Sequence, residues 1–174
     1  MIPDPTCYAP AVTTDATPPG APALADQVSR LYDLVAGYHA THLMEIAREL
    51  GVWSALTASP GLTSGELAGR LGTDPFYTDV LCRTAFSFGL LAREGAGWRM
   101  GPHFDQILGD PDSSFYLACA PRVHMVLGED YPAYIEHFRD ATTRSYQEHG
   151  QAFMREVAEE TGFSRFTIMV AAKD

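Results

Sequence analysis

The chain has 174 residues, 46% of them hydrophobic, and a formal net charge of −10. That length supports one real core with appendages, while the acidic balance opposes a duplex nucleic acid or an anionic membrane surface as partner. Only one of the twelve basic residues is a lysine, Lys173.

Three cysteines, Cys7, Cys82 and Cys119, are odd in number, far apart and without a CxxC pair. No disulfide framework is expected, and a reduced, cytoplasmic protein is the simpler reading. Cys82 and Cys119 sit among apolar neighbours and read as small buried hydrophobes. No Lys or Arg precedes Arg30 and no apolar run precedes it, so neither a signal peptide nor a membrane span is expected.

In chain order, residues 1–25 hold six of the twelve prolines among Ala and Thr and read as a disordered tail. A long helix follows, with Asp26 as N-cap and Val28, Leu31, Val35, His42, Ile46, Leu50 and Trp53 at helical spacing. Gly37 and Gly51 interrupt it, and a break is expected near Gly51. Thr63 and Glu66 form a capping-box pattern opening a helix over Ser64–Leu71, which Gly72 ends. Asp74 caps the next helix with Pro75 in its first turn; Phe76, Val80, Leu81, Thr84, Ala85 and Phe88 share one face, and Gly89 stops it.

"LLARE" and "WRM", joined by Gly95-Ala96-Gly97, predict an antiparallel hairpin. Helix, turn, helix, hairpin is the winged-helix order. Beyond "HFDQIL" and a Pro/Asp/Ser loop at 110–114, helical stretches are predicted over Phe115–Leu127, Tyr131–Phe138 and Gln147–Glu160. "RFTIMVAA" reads as a strand. The expected fold is mainly α: a winged helix-turn-helix core with extra helices, a small β-hairpin and a short C-terminal strand. Its expected divisions are the tail at 1–25, a winged-helix domain at 26–108, a helical extension at 109–162 and a strand remnant at 163–174.

A DNA reader needs Arg, Lys, Asn or Gln aimed at base edges. The helix from Asp74 to Gly89 offers Asp74, Asp79 and one Arg83, and the wing's Arg93 and Arg99 are offset by Glu94. The charge pattern disfavours sequence-specific DNA binding.

Another use of the shape is carried by Ala47, Leu50-Gly51, Leu56, Thr63 with Glu66-Leu67-Ala68, Leu71-Gly72, Phe88-Gly89-Leu90-Leu91 and the Gly-Trp-Arg-Met wing. Together these resemble the N-terminal domain of class I S-adenosylmethionine-dependent methyltransferases of the small-molecule O-methyltransferase type. The likeness is close over residues 28–108 and looser to Gly162. It implies a domain that mediates dimerisation, lines part of a substrate cavity and does not bind DNA.

The family binds its cofactor on a doubly wound sheet opened by a Gly-rich turn such as DxGxGxG. No such turn follows "SYQEHGQAFMREVAEETG". The one GxG, Gly95-Ala96-Gly97, joins two short strands and reads as a hairpin turn. "FSRFTIMVAAKD" resembles the last strand of the family's core, as though the middle of that core had been removed. The resemblance therefore implies a truncated methyltransferase-like chain with no cofactor of its own, where the family would use S-adenosylmethionine. Such a chain transfers no methyl group alone and serves as a homodimer or partner-binding module through its apolar helices, Val28 to Trp53 above all.

His39, His42 and Glu45 recur at three-residue steps, a spacing that could share a metal; packing or interface histidines are the favoured reading, since His42 also lies on the apolar stripe. His124, Tyr131, Tyr134, His137 and His149 populate helices that, by the resemblance, would face the substrate cavity. The candidate cavity residues are thus His39, His42, His124, Tyr131, Tyr134 and His137, and a small-molecule binding protein or repurposed enzyme on that His/Tyr-lined cavity is the alternative function. "GDPDSS" lacks the spaced acids of a calcium loop and reads as a turn. No Ser-His-Asp signature and no phosphate loop is present.

Overall fold

The computed structural model describes residues 21–143, 148, 153–155 and 157–158. The tail over 1–20, the strand expected at 163–174 and His149 lie outside the described residues, as does most of the helix expected over 147–160, of which 153–155 and 157–158 are helical. The chain divides into two compact units, residues 1–34 and 35–174.

The order is α1 (Leu24–Glu49), α2 (Val52–Ala58), α3 (Ser64–Leu71), α4 (Pro75–Ser87), β1 (Leu91–Glu94), β2 (Gly97–Met100), a π-helical turn (Asp105–Gly109), α5 (Ala120–Gly128) and α6 (Tyr131–Asp140). This is the mainly α winged-helix fold expected. β1 and β2 pair antiparallel with Leu91 opposite Met100 and Glu94 opposite Gly97. Gly97 therefore belongs to the second strand, and only Gly95 and Ala96 turn the hairpin.

Local chemistry explains most element ends. α1 opens two residues before the expected cap, leaving Asp26 in its first turn, where a carboxylate favours the positive end of the helix dipole. It runs unbroken through Gly37 and stops before Gly51, whose φ of 78° is left-handed. That conformation suits glycine and redirects the chain into α2. Thr63 and Glu66 close a reciprocal capping box on α3, and Gly72 ends it in the left-handed region. Asp74 Oδ1 accepts from the backbone N–H groups of Phe76 and Tyr77 at 2.9 and 3.0 Å, with Pro75 in the first turn. Further on, the expected helix over Phe115–Leu127 is shorter. α5 starts only at Ala120, because Asp110 and Ser113 bond the N–H groups of Asp112 and Phe115 and hold turns there.

Trp53, Trp98, Leu56, Leu67, Leu91, Val52 and Cys82 are the largest fully buried side chains. The expected α4 face meets the core in part, through Ala85 with Leu81 and Phe88. Thr78, Cys82 and Ala85 point inward, while Phe76 and Val80 are exposed. Three small residues let α4 pack closely on α3 and β1, with Leu81 and Phe88 packed against the same core and Phe76 and Val80 left outside. Cys82 and Cys119 are both buried, as expected of small hydrophobes; desolvation first, then the Asp79 charge, pushes the Cys82 thiol up to about 12.

The wing is fixed by close approach and by polar links. Trp98 exchanges backbone bonds with the chain before α3, donating to Leu62 O at 2.9 Å and accepting from Gly61 N at 2.8 Å. A Cβ on Gly97 would stand 1.9 Å from Gly61 O, so only glycine fits there. Trp98 Nε1 donates to Ser64 Oγ at 2.8 Å, and Ser64 Oγ donates to Asp79 Oδ1 at 2.7 Å. On the far side of α2, Trp53 Nε1 donates to Met44 O at 3.0 Å.

Candidate functional site

Which face of α1 enters the core decides what is left for function. Glu45 and Ala47 are buried, and Leu43 and Met44 pack on the core. Stripe residues Val35, Ile46 and Leu50 are exposed in the second unit and Val28 and Leu31 in the first, where Leu24, Tyr32 and Leu34 are exposed too. Trp53 belongs to α2 and is buried, so it leaves the stripe.

Opposite α5, α1 lines an open cleft of about 410 Å³, with Tyr38, Thr41 and His42 on α1, Arg122, His124, Met125, Val126 and Gly128 on α5, and Glu129 and Tyr131 at the α5–α6 junction. Tyr38 and His42 stack edge to face with centroids 4.6 Å apart. Next to Arg122 of the cleft lining, buried Glu45 accepts two hydrogen bonds from Arg48, at 2.8 and 2.9 Å, and Arg122 Nε stands 3.9 Å from the same carboxylate. Arg48 is held even further above the usual guanidinium range, chiefly by the hydrogen bond to Glu45.

Three of the six candidate cavity residues, His42, His124 and Tyr131, meet in this cleft. Tyr134 and His137 continue the aromatic row along α6, with centroids 5.5 Å (Tyr131–Tyr134) and 6.2 Å (Tyr134–His137) apart. His39 is exposed and stacks on Tyr38 at 5.7 Å, outside the lining. Glu45, the third member of the His39/His42 spacing, is taken up by arginine, and no cluster of three or more metal-ligating side chains occurs among the described residues. Tyr38, Thr41, Arg122 and Glu129 were missed at the sequence level. Tyr38 alone carried a signal, standing one helical turn before His42 in "GYHATH".

A second open cleft of about 370 Å³ lies under the wing, lined among others by Thr57, Glu94, Arg99, His103 and Asp105. His103 adopts a positive φ of 65° just before the π-helical turn. The helix that would read DNA in a winged-helix regulator is committed elsewhere. Arg83 pairs with Asp79 at 2.7 Å, and the Arg93 guanidinium lies 3.5 Å over the Trp98 ring.

The fold is thus a winged helix whose Arg83 and Arg93 are engaged within the domain and whose first helix exposes apolar side chains. Residues 32–103 match the dimerisation domain of O-methyltransferases. The whole sequence matches no curated protein significantly. Among solved structures, an O-methyltransferase family protein from Burkholderia thailandensis superposes with a TM-score of 0.63 at 18% identity, over 80% of this chain and 42% of that one. Human N-acetylserotonin methyltransferase, solved in complex with S-adenosylmethionine, gives a TM-score of 0.57 at 16% identity, over 86% of this chain and 45% of that one. The chain therefore spans less than half the length of these proteins. No described helix is long and apolar enough to cross a membrane.

Proposed function

We propose that this chain works as a pairing module of the O-methyltransferase type, associating with a second copy through the outward apolar side chains of α1. The observation that carries this is the exposure of Leu31, Tyr32, Leu34 and Tyr38, each at least 60% accessible, inside or beside the matched dimerisation domain. Side chains of that size, exposed along one helix, gain about 1.5–3 kcal/mol each when a partner fully covers them. In this reading the 174 residues transfer no methyl group by themselves. Sedimentation of the purified chain is expected to give a dimer at micromolar concentration, converted to monomer by the paired change Leu31→Asp and Val35→Asp with the helical signal retained. A strict monomer before mutation rejects the pairing, and tight one-to-one uptake of S-adenosylmethionine by calorimetry rejects the non-catalytic part.

The convergence of His42, His124 and Tyr131 favours a second reading, a small-molecule site in the α1–α5 cleft. Ligand-dependent thermal stabilisation is its general test.

A further inference from the structure

The geometry points to an organic cation with an aromatic body, an arylalkylamine, as the ligand class of the α1–α5 cleft; the inference rests on the small-molecule reading of that cleft. Its walls near the α5–α6 junction are aromatic on both sides, with the Tyr38–His42 stack on α1 and Tyr131 opening α6. Ring faces attract cations, and a desolvated ammonium gains most from them. Beside these rings stands Glu129, which makes no ion pair within the described residues. A carboxylate next to aromatic walls is what an ammonium group needs and what an anion would avoid.

The opposite end of the cleft does not reverse this preference. Arg122 stands seven positions before Glu129, about 10 Å along α5, and already faces the buried Glu45 carboxylate at 3.9 Å. A ligand anion placed there would compete with Glu45 for the guanidinium. Met125 and Val126 leave an apolar stretch between the two ends that suits a ring. The net charge of −10 adds a long-range pull on cations.

Titration calorimetry on the full chain with three probes of one shape tests the assignment: tyramine, 4-ethylphenol and 4-hydroxyphenylacetate. Tyramine is expected to bind at least tenfold more tightly than 4-ethylphenol, with the acid weakest. Glu129→Gln should reduce tyramine to the level of 4-ethylphenol, and Tyr131→Leu should weaken both, neither variant moving the melting temperature because both side chains are exposed. Equal binding of the three probes, a preference for the acid, or tyramine binding unchanged in both variants overturns the amine assignment while leaving a cleft ligand in place. Failure of all three to bind at millimolar concentration overturns the cleft reading together with it.

Discussion

The segment from Val52 to Met100 and helix α6 follow opposite rules. In the first, caps, turns and buried rings support one another: Trp53 and Trp98 are 1% and 0% exposed, and their indole N–H groups both find acceptors. Ten-residue α6 buries none of its residues, and Phe138 is 89% exposed. A helix that short is marginal without packing. The difference teaches where this protein keeps its buried core and where it leaves apolar side chains exposed. The winged-helix segment holds most of the buried core, which also takes in Ala47, Leu108 and Ala118. α6 and the exposed side chains of α1 lie outside that core.

The comparison is broken most directly at its two extremes. Trp98→Ala removes a fully buried ring and a hydrogen bond to Ser64, and should cost about 3–5 kcal/mol, seen as a large fall in the thermal or urea midpoint. Phe138→Ala should stay within about 0.5 kcal/mol of the parent in the same measurement. A comparable loss from Phe138 would mean that α6 is packed in solution and that the contrast is false.

An intermediate effect is expected at Glu45, which ties α1 to α5. Glu45→Gln leaves Arg48 and Arg122 facing a neutral amide. Breaking a fully buried pair costs about 3–5 kcal/mol. Arg48 keeps 30% and Arg122 38% of their side-chain exposure, so solvent screening should reduce the loss to about 1–2 kcal/mol. If denaturation shows no loss at all, α1 and α5 are not tied through this carboxylate.

How much of this was legible in the sequence follows from the range of each signal. The caps at Thr63 and Asp74 and the stop at Gly72 depend on residues within one turn, and they were read correctly. The inward face of α4 was legible only in part, because periodicity groups apolar residues without saying which of them meet the core. Ala85, Leu81 and Phe88 of the expected face do meet the core, joined by Thr78 and Cys82, while Phe76 and Val80 stay exposed. α1 shows the same limit: its apolar stripe was identified, but Leu43, Met44 and Ala47 took the core side. The cleft was half legible. Its histidines and Tyr131 could be singled out by residue type, whereas Arg122 and Glu129 join them only through the pairing of α5 with α1, a contact between residues about eighty positions apart that no local pattern encodes.

The smallest expected effect sharpens the account of the winged-helix segment, through the pH dependence of the α3 cap. The Thr63 hydroxyl and backbone N–H both donate to Glu66 Oε2, at 2.7 and 2.8 Å, and these bonds hold the Glu66 carboxyl below its ordinary range. A depressed carboxylate binds fewer protons in the folded than in the unfolded chain, so stability falls as pH drops from the ordinary carboxylate range through the folded value. Thr63→Ala should cost about 1 kcal/mol at neutral pH. It should also shrink the acid-dependent part of the loss, because the hydroxyl is the largest cause of the depression. Urea midpoints for parent and variant between pH 7 and pH 3 should therefore converge as the carboxyl protonates. Curves that stay parallel would show that the cap acts through Thr63 and the Glu66 N–H alone, without help from the charge.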